Sequence, residues 1–143
     1  MIKAGIIGST GYAGGELARL LLQRDDIEIK WYGSRSYIDQ KYASIYQNMF
    51  RIVDDACMDD NMKELAEQVD VVFTATPQGL CASLMDEDVL SKVKVIDLSA
   101  DFRIKDVSVY EKWYKLTHAS PQFIGEAVYG LPEINREKVK KAW

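Results

Sequence analysis

Three glycines at intervals of three residues constrain the fold of this chain more than any other feature. They stand in the segment Gly8-Ser-Thr-Gly11-Tyr-Ala-Gly14. Apolar residues 2–7 before this segment predict a short strand, and apolar positions 17, 20, 21 and 22 after it predict a helix over 15–24. A glycine-rich turn that joins a strand to a helix is typical of a dinucleotide-binding loop.

Each glycine of this loop has an expected task. Gly8 permits the tight turn, Gly11 lets the backbone approach a pyrophosphate, and Gly14 allows the helix to pack closely on the strand. Unpaired N–H groups at the start of the helix would then meet the pyrophosphate. Ser9 and Thr10 can add hydroxyl donors, while Tyr12 either covers the ligand or packs on the sheet. The residues expected at the cofactor are therefore Gly8, Ser9, Thr10, Gly11, Tyr12, Ala13 and Gly14. The plain alternative is a glycine-rich turn that binds nothing.

Strand and helix patterns alternate along the rest of the chain. Further strands are expected at 27–32, 69–74 and 94–97, and helices at 61–68 and 79–86. This alternation predicts an α/β fold, a Rossmann-type doubly wound parallel sheet, with residues 1–143 as one domain. The pattern weakens after Asp101. Helices are expected at 107–116 and at 135–142, the latter with Asn135 as its N-cap.

Composition excludes several classes of function. The net charge is −4 and charged residues of both signs are mixed, so no nucleic-acid surface is expected. Cys57 and Cys81 lack CxxC spacing, which argues against a metal site or disulfide scaffold and suits a reducing compartment. The sequence starts without a signal-peptide pattern, and its apolar runs are too short to cross a bilayer. A cytoplasmic location without a membrane partner is therefore expected.

The end of the second strand indicates which dinucleotide is bound. NAD-binding domains place an acidic residue there for the ribose 2′-OH, but this chain has Gly33-Ser34-Arg35-Ser36, and Glu28 lies at the other end of the strand. Arg35 offers a planar fork for a 2′-phosphate, and Ser34 and Ser36 offer hydroxyls. NADP(H) is the expected cofactor. An ordinary polar turn with a surface arginine is the alternative.

Two later segments carry weaker signals. Ala75, Thr76 and Pro77 follow a buried strand at its carboxyl end and are expected to line the nicotinamide ribose, although a simple Pro-Gly turn explains them almost as well. Cys81 stands at the start of an expected helix, where the helix dipole would lower the pKa of a thiol. The alternative, a small core residue, is the preferred interpretation of Cys81.

Five stretches in this order carry a family resemblance: Gly8-Ser-Thr-Gly-Tyr-Ala-Gly-Gly-Glu-Leu17, Gly33-Ser-Arg-Ser36, Ala75-Thr-Pro-Gln-Gly79, Asp97-Leu-Ser-Ala-Asp-Phe-Arg103 and Tyr129-Gly-Leu-Pro-Glu133. The chain resembles the N-acetyl-γ-glutamyl-phosphate reductases, relatives of aspartate-semialdehyde dehydrogenase. The resemblance implies an NADP-binding domain followed by a larger α+β domain with the catalytic cysteine and histidine. The family's Asn-Pro-Gly-Cys segment would lie just beyond this chain. We therefore expect an N-terminal fragment that lacks the α+β domain, has no catalytic residue of its own and shows no turnover.

The resemblance also implies an activity. Such enzymes reduce N-acetyl-γ-glutamyl phosphate with NADPH to N-acetylglutamate 5-semialdehyde in arginine biosynthesis, and they act as homo-oligomers. Ser99 and Arg103 are the expected clamp for the acyl phosphate, with pairing of Arg103 to Asp101 or Asp106 as the alternative. Gln78 stands where the family usually has histidine, and His118 lies in no matching context.

Two other functions remain open on the sequence. One keeps the chemistry and changes the substrate to aspartyl phosphate or a carrier-bound aminoadipyl phosphate. The other is a non-catalytic NADP-binding sensor, because glycine loops of this spacing occur in such proteins too.

Overall fold

Four parallel strands form the centre of the molecule, which the computed structural model describes for residues 1–142. The strands are Ile2–Ile7 (β1), Ile27–Gly33 (β2), Val71–Thr74 (β3) and Lys94–Asp97 (β4), in the spatial order β2-β1-β3-β4. The helices are Tyr12–Leu21 (α1), Tyr42–Ile45 (α2), Met62–Ala66 (α3), Leu80–Leu84 (α4), Glu87–Lys92 (α5), Val107–Tyr114 (α6) and Pro132–Val139 (α7), with 3-10 turns at Gln47–Met49 and Pro121–Phe123. Trp143, the last residue of the expected domain, lies outside the described residues.

Helices cover the sheet on both faces. Ala18 and Leu21 of α1 pack on one face, in a cluster with Ala4, Ile6, Ile29 and Tyr32. On the other face, Leu65 of α3, Cys81 of α4 and Val89 of α5 pack against Ile7, Trp31 and Val72. Because apolar side chains leave both faces of the strands, burial on one side alone would expose half of the core. The α/β, doubly wound parallel fold predicted from the sequence is confirmed.

The strand order creates a crevice at the carboxyl end of β1. The chain passes from β1 to β2 on one side and then returns to place β3 on the other side of β1. Connections therefore leave β1 and β3 in opposite directions, which opens the space where ligands bind in such sheets. The glycine loop 8–14 lies at this point, directly after β1.

Two helix predictions need correction, and helix α5 was missed. Helix α1 begins at Tyr12 rather than at 15, because Gly11 serves as its N-cap despite the low helix propensity of the glycines that follow. Asn135 is not an N-cap: α7 begins at Pro132 after Leu131, and the Asn135 side-chain amide donates to the Tyr129 carbonyl at 3.1 Å. Helix α5 was not expected, although Asp86, whose carboxylate accepts from Val89 N at 2.8 Å, marks its start.

No helix among residues 1–142 combines the length and apolar character needed to cross a bilayer.

Candidate functional site

Two of the three loop glycines are required by the backbone that surrounds them. Gly8 has φ of +79°, and a Cβ there would lie 2.2 Å from the Ala75 carbonyl oxygen. A Cβ on Gly14 would lie 2.1 Å from the Gly8 carbonyl oxygen. These contacts bring the loop against the end of β3 and bring α1 against the loop, as the sequence suggested for the turn and for helix packing.

Gly11 meets a different environment. It is exposed, has an ordinary φ of −78°, and a Cβ there would find only the Gly8 carbonyl oxygen at 3.6 Å. The fold around it therefore does not require glycine, and the open space leaves room for a ligand. The N–H groups of Tyr12 and Ala13 belong to the first turn of α1, where helical geometry supplies no acceptor. Tyr12 is 98% exposed, so the alternative that its ring packs on the sheet is wrong.

The hydroxyls around the loop are largely used within the fold. Ser9 is fully buried, and both its N–H and its hydroxyl donate to the Gly33 carbonyl, at 2.9 and 3.0 Å. The sequence predicted that the Ser9 hydroxyl is free to donate to a ligand. In the structure it instead helps to hold the ends of β1 and β2 together. The hydroxyls of Thr10 and Ser34 share a hydrogen bond of 2.8 Å. Thr10 thus lies beside the segment that follows β2.

Arg35 and Asp60 form an ion pair at the end of β2. The Nε of Arg35 donates to the carboxylate of Asp60. The Asp60 side chain is only 8% exposed, whereas the Arg35 side chain is 63% exposed. Asp60 reaches this place because Met58 pairs with Gly33, and Ser34 N donates to the Met58 carbonyl at 2.7 Å. The segment that ends β2 contains no carboxylate, as the sequence analysis stated. The fold nevertheless brings the carboxylate of Asp60 to this place, so the expectation of a site without one is wrong. The bond uses only Nε, so the Nη groups of Arg35 take no part in the ion pair.

The segment after β3 touches the glycine loop. Ala75 N donates to the Ile7 carbonyl at 2.9 Å, and the hydroxyl of Thr76 is buried without a hydrogen-bond partner among residues 1–142. Such a hydroxyl is costly unless a ligand or water completes its bonding. Pro77 is exposed, and the Gln78 side-chain oxygen accepts from Ala100 N at 2.7 Å, which joins this segment to the end of β4.

Ser99 and Arg103 lie together beyond β4. The Ser99 hydroxyl donates to Asp97 at 2.7 Å, and Arg103 Nη2 donates to the Ser99 carbonyl at 3.2 Å. The guanidinium carbon of Arg103 lies 5.7 Å from the centre of the Tyr129 ring. Arg103, Ser99 and Tyr129 line a cleft of about 610 Å³. The alternative ion pairs of Arg103 with Asp101 or Asp106 do not occur among the ion pairs of residues 1–142.

Asp101 instead organises a buried polar network. Its carboxylate accepts from Gly79 N at 2.8 Å, Ala82 N at 3.0 Å and the Tyr110 hydroxyl at 2.7 Å. His118 Nε2 lies 2.6 Å from the Asp101 carbonyl, and its Nδ1 accepts from Ser120 N at 3.1 Å. Because Nδ1 accepts, Nε2 is the ring nitrogen that donates to the Asp101 carbonyl. Both nitrogens are occupied by backbone groups, so His118 has a structural role.

Comparisons with known proteins agree with this arrangement. The family model described as the semialdehyde dehydrogenase, NAD binding domain, matches residues 3–142. The chain belongs to this family.

Relatives within the family are similar over nearly the whole chain. The N-acetyl-gamma-glutamyl-phosphate reductase of Lachnospira eligens is 70% identical over 141 residues, which are 99% of this chain and 40% of that protein. The reductase of the same name from Lachnoclostridium phytofermentans is 69% identical over 142 residues, 99% of this chain and 41% of that protein. The chain thus spans about 40% of the length of these curated relatives.

A solved aspartate semialdehyde dehydrogenase with NADP, from Candida albicans, shares the fold. It superposes with a TM-score of 0.55 at 19% identity, and the match covers 75% of this chain and 32% of that one.

The two cysteines of this semialdehyde dehydrogenase family member are packing residues. Cys57 is 1% exposed and Cys81 is fully buried. Burial raises the pKa of both thiols, and the negative charge of Asp97 raises that of Cys81 further. Burial and the charge of Asp97 outweigh the dipole of the short helix α4, which would lower the pKa. The expectation of a lowered pKa for Cys81 is therefore wrong. Within residues 1–142 no group of three or more His, Cys, Asp or Glu side chains is placed to hold a metal ion.

Both thiols are therefore expected to resist modification in the folded chain. At pH 8 Ellman's reagent should react with neither cysteine over minutes, and with two thiols after denaturation, because each is protonated and shielded. The variants Cys57→Ser and Cys81→Ser assign the two signals. Rapid reaction of a native thiol that Cys81→Ser removes would contradict the packing role and make Cys81 a nucleophile candidate.

Sequence reasoning missed three residues near the site, Asp60, Tyr42 and Tyr46. It considered Asp101 only as a partner of Arg103 and missed its role in the buried network. Tyr42 and Tyr46 donate to carbonyls of the glycine loop. They lie more than thirty residues from the loop, in a segment without strong periodicity. No local signal marks their partners.

Proposed function

We propose that residues 1–143 form the NADP(H)-binding domain of an N-acetyl-γ-glutamyl-phosphate reductase. Such an enzyme reduces N-acetyl-γ-glutamyl phosphate to N-acetylglutamate 5-semialdehyde in arginine biosynthesis. The observation that carries the proposal is the 70% identity to a reductase of this name across 99% of the chain. The exposed Gly11 beside the first turn of α1 supports a cofactor site in the same region.

The residues present fit the cofactor. First-turn N–H groups of α1 favour the pyrophosphate, since they are unpaired donors at the positive end of the helix dipole. Gly11 leaves room for its approach, Arg35 and Ser36 meet the 2′-phosphate, and Thr76 offers a buried hydroxyl without a partner within the described residues. When bound, NADPH supplies the hydride. The remaining residues of the proposed cofactor site are Gly8, Ser9, Thr10, Tyr12, Ala13, Gly14, Ser34, Ala75 and Pro77.

Arg103 and Ser99 are the proposed phosphate clamp. The bond from Arg103 to the Ser99 carbonyl and the Tyr129 ring hold the guanidinium at the cleft beyond β4, where a planar fork suits a phosphate dianion. In the proposed reaction, a cysteine thiolate outside residues 1–143 attacks the acyl carbon and expels phosphate. Hydride transferred to the carbonyl carbon of the resulting thioester would break its carbon–sulfur bond, which would release the aldehyde and return the thiolate. The expelled phosphate would take up the proton of the overall reaction.

The cellular setting is proposed on the same basis. We expect a small-molecule acyl phosphate as the partner, no nucleic-acid or membrane partner, a homo-oligomeric full-length enzyme and a cytoplasmic location. Among the rival substrates, the names of the 69–70% identical relatives favour N-acetylglutamyl phosphate over aspartyl or aminoadipyl phosphate. A non-catalytic sensor would use the cofactor site but not the phosphate clamp, so Arg103→Ala would leave the function of such a protein unchanged.

Titration with both cofactors tests the assignment of NADP(H). The chain should bind NADPH more tightly than NADH, and Arg35→Ala should weaken NADPH roughly tenfold to a hundredfold, because a charge-assisted hydrogen bond contributes about 1.5–3 kcal/mol. NADH affinity should hardly change. Arg24→Ala is the matched control, since Arg24 is an exposed arginine that pairs with Asp26 before β2 begins. Equal affinity of the unmodified chain for NADPH and NADH would contradict the assignment.

A further inference from the structure

Two tyrosine hydroxyls lie within hydrogen-bond distance of three successive carbonyls of the glycine loop, and the single O–H of Tyr46 is shared between two of them. The hydroxyl of Tyr42, in α2, donates to the Ser9 carbonyl at 2.9 Å. The hydroxyl of Tyr46, the residue after α2, lies 3.1 Å from the Thr10 carbonyl and 2.9 Å from the Gly11 carbonyl. Residues 33 to 36 positions further along the chain thus hold one side of the loop.

Because the peptide bond is planar, these hydrogen bonds also orient the N–H groups of the loop. In a planar trans peptide the carbonyl of one residue and the N–H of the next point in opposite directions. Carbonyls of Ser9 and Gly11 that face the tyrosines therefore turn the N–H groups of Thr10 and Tyr12 to the opposite side. Gly11 N is already used, since it donates to the Gly8 carbonyl at 3.2 Å. Thr10 and Tyr12 are left as oriented backbone donors.

The surrounding packing is built around the Tyr46 ring. A Cβ on Gly15 would lie 2.6 Å from Tyr46 Oη and Cζ, so glycine at this position makes the space that the ring occupies. The ring centres of Tyr42 and Tyr46 are 5.4 Å apart, and those of Tyr32 and Tyr42 are 4.5 Å apart. This row of rings runs from β2 to the loop and fixes where the hydroxyls stand.

We propose that Tyr46, supported by Tyr42, is a positioning residue that presents the Thr10 and Tyr12 N–H groups to the pyrophosphate of the dinucleotide. The inference rests on the proposed cofactor site and adds the group that shapes it. Both hydroxyls remain donors at neutral pH, because burial raises the pKa of each phenol. Tyr46 acts through the backbone and makes no contact with the cofactor in this role.

The variant Tyr46→Phe keeps the ring and removes both hydrogen bonds. NADPH affinity should fall roughly tenfold, equivalent to about 1.4 kcal/mol. Adenosine 2′-monophosphate, which has the 2′-phosphate and no pyrophosphate, should bind the variant and the unmodified chain equally. Ser44→Ala is the control, since it removes a hydroxyl bond of the same short helix, from Ser44 to the Lys41 carbonyl at 2.6 Å, without touching the loop.

The outcomes separate this inference from the proposed function. An unmodified chain that binds no NADPH overturns the proposed function, and the inference falls with it. Normal NADPH affinity in Tyr46→Phe overturns the inference alone, and so does an equal loss for NADPH and adenosine 2′-monophosphate, which would mean a general structural role. If circular dichroism shows that Tyr46→Phe is unfolded, Gly15→Ala replaces it, because it displaces the Tyr46 ring and keeps both hydroxyls. Its NADPH affinity should fall while its affinity for adenosine 2′-monophosphate stays unchanged, and normal NADPH affinity would overturn the inference.

Discussion

Gly11→Val is expected to abolish NADPH binding while the fold remains intact. The valine side chain would occupy the space through which the pyrophosphate approaches the start of α1. The fold should tolerate it, because Gly11 is exposed, has a φ of −78° and leaves 3.6 Å between a Cβ and the Gly8 carbonyl oxygen. We expect a loss of at least roughly a hundredfold in affinity, about 2.7 kcal/mol, measured by fluorescence titration with NADPH.

Two other glycines serve as references for this substitution. Gly125→Val places the same side chain where a Cβ meets nothing within 4 Å, and it should leave binding unchanged. Gly14→Ala forces a Cβ to within 2.1 Å of the Gly8 carbonyl oxygen, so it should disturb the loop itself and lower thermal stability as well as binding. A Gly11→Val chain that binds NADPH with normal affinity would show that the loop is a structural turn.

Asp101→Ala is expected to lower the free energy of unfolding by about 3–5 kcal/mol. Asp101 is fully buried, and its carboxylate accepts three hydrogen bonds, from Gly79 N, Ala82 N and the Tyr110 hydroxyl. Truncation leaves three donors without a partner, two of them buried and that of Gly79 partly buried, and each buried loss costs about 1–3 kcal/mol, although neighbouring losses do not add fully. Urea unfolding followed by circular dichroism measures the difference between the variant and the unmodified chain.

The control for Asp101→Ala is the same change at Asp106. Asp106 is exposed and caps α6 through its bond to Ser108 N at 2.9 Å, so its loss should cost only about 1 kcal/mol. Equal destabilisation by the two substitutions would contradict the role of Asp101 as the centre of a buried network.

The local patterns of the sequence were sufficient for the sheet and for the place of the glycine loop. Strands β1 and β4 were predicted at residues 2–7 and 94–97 and occur as Ile2–Ile7 and Lys94–Asp97. Such segments are identifiable because a short apolar run between polar turns has few ways to bury itself except as a covered strand. Helix starts were less accurate where glycine masked the pattern, as at α1, or where proline set the first turn, as at α7.

The residues that shape the candidate site were decided by tertiary structure. Asp60 meets Arg35 only because Met58 pairs with the end of β2, and Tyr46 meets Gly11 only because the segment after β2 folds back over the loop. Asp101 likewise finds Gly79 across the connection between β3 and β4.

The physical reason for this division is the range of the interactions involved. Hydrophobic period and glycine spacing act over a few residues, so the sequence alone determined the α/β class, the loop and its likeness to dinucleotide-binding domains. Hydrogen bonds and ion pairs between residues 22 to 36 positions apart depend on how the connections pack, and no local pattern encodes their partners. Only the tertiary structure therefore decided that the Ser9 side chain is turned inward, that Arg35 shares its guanidinium with Asp60, and that Gly11 stays open to a ligand.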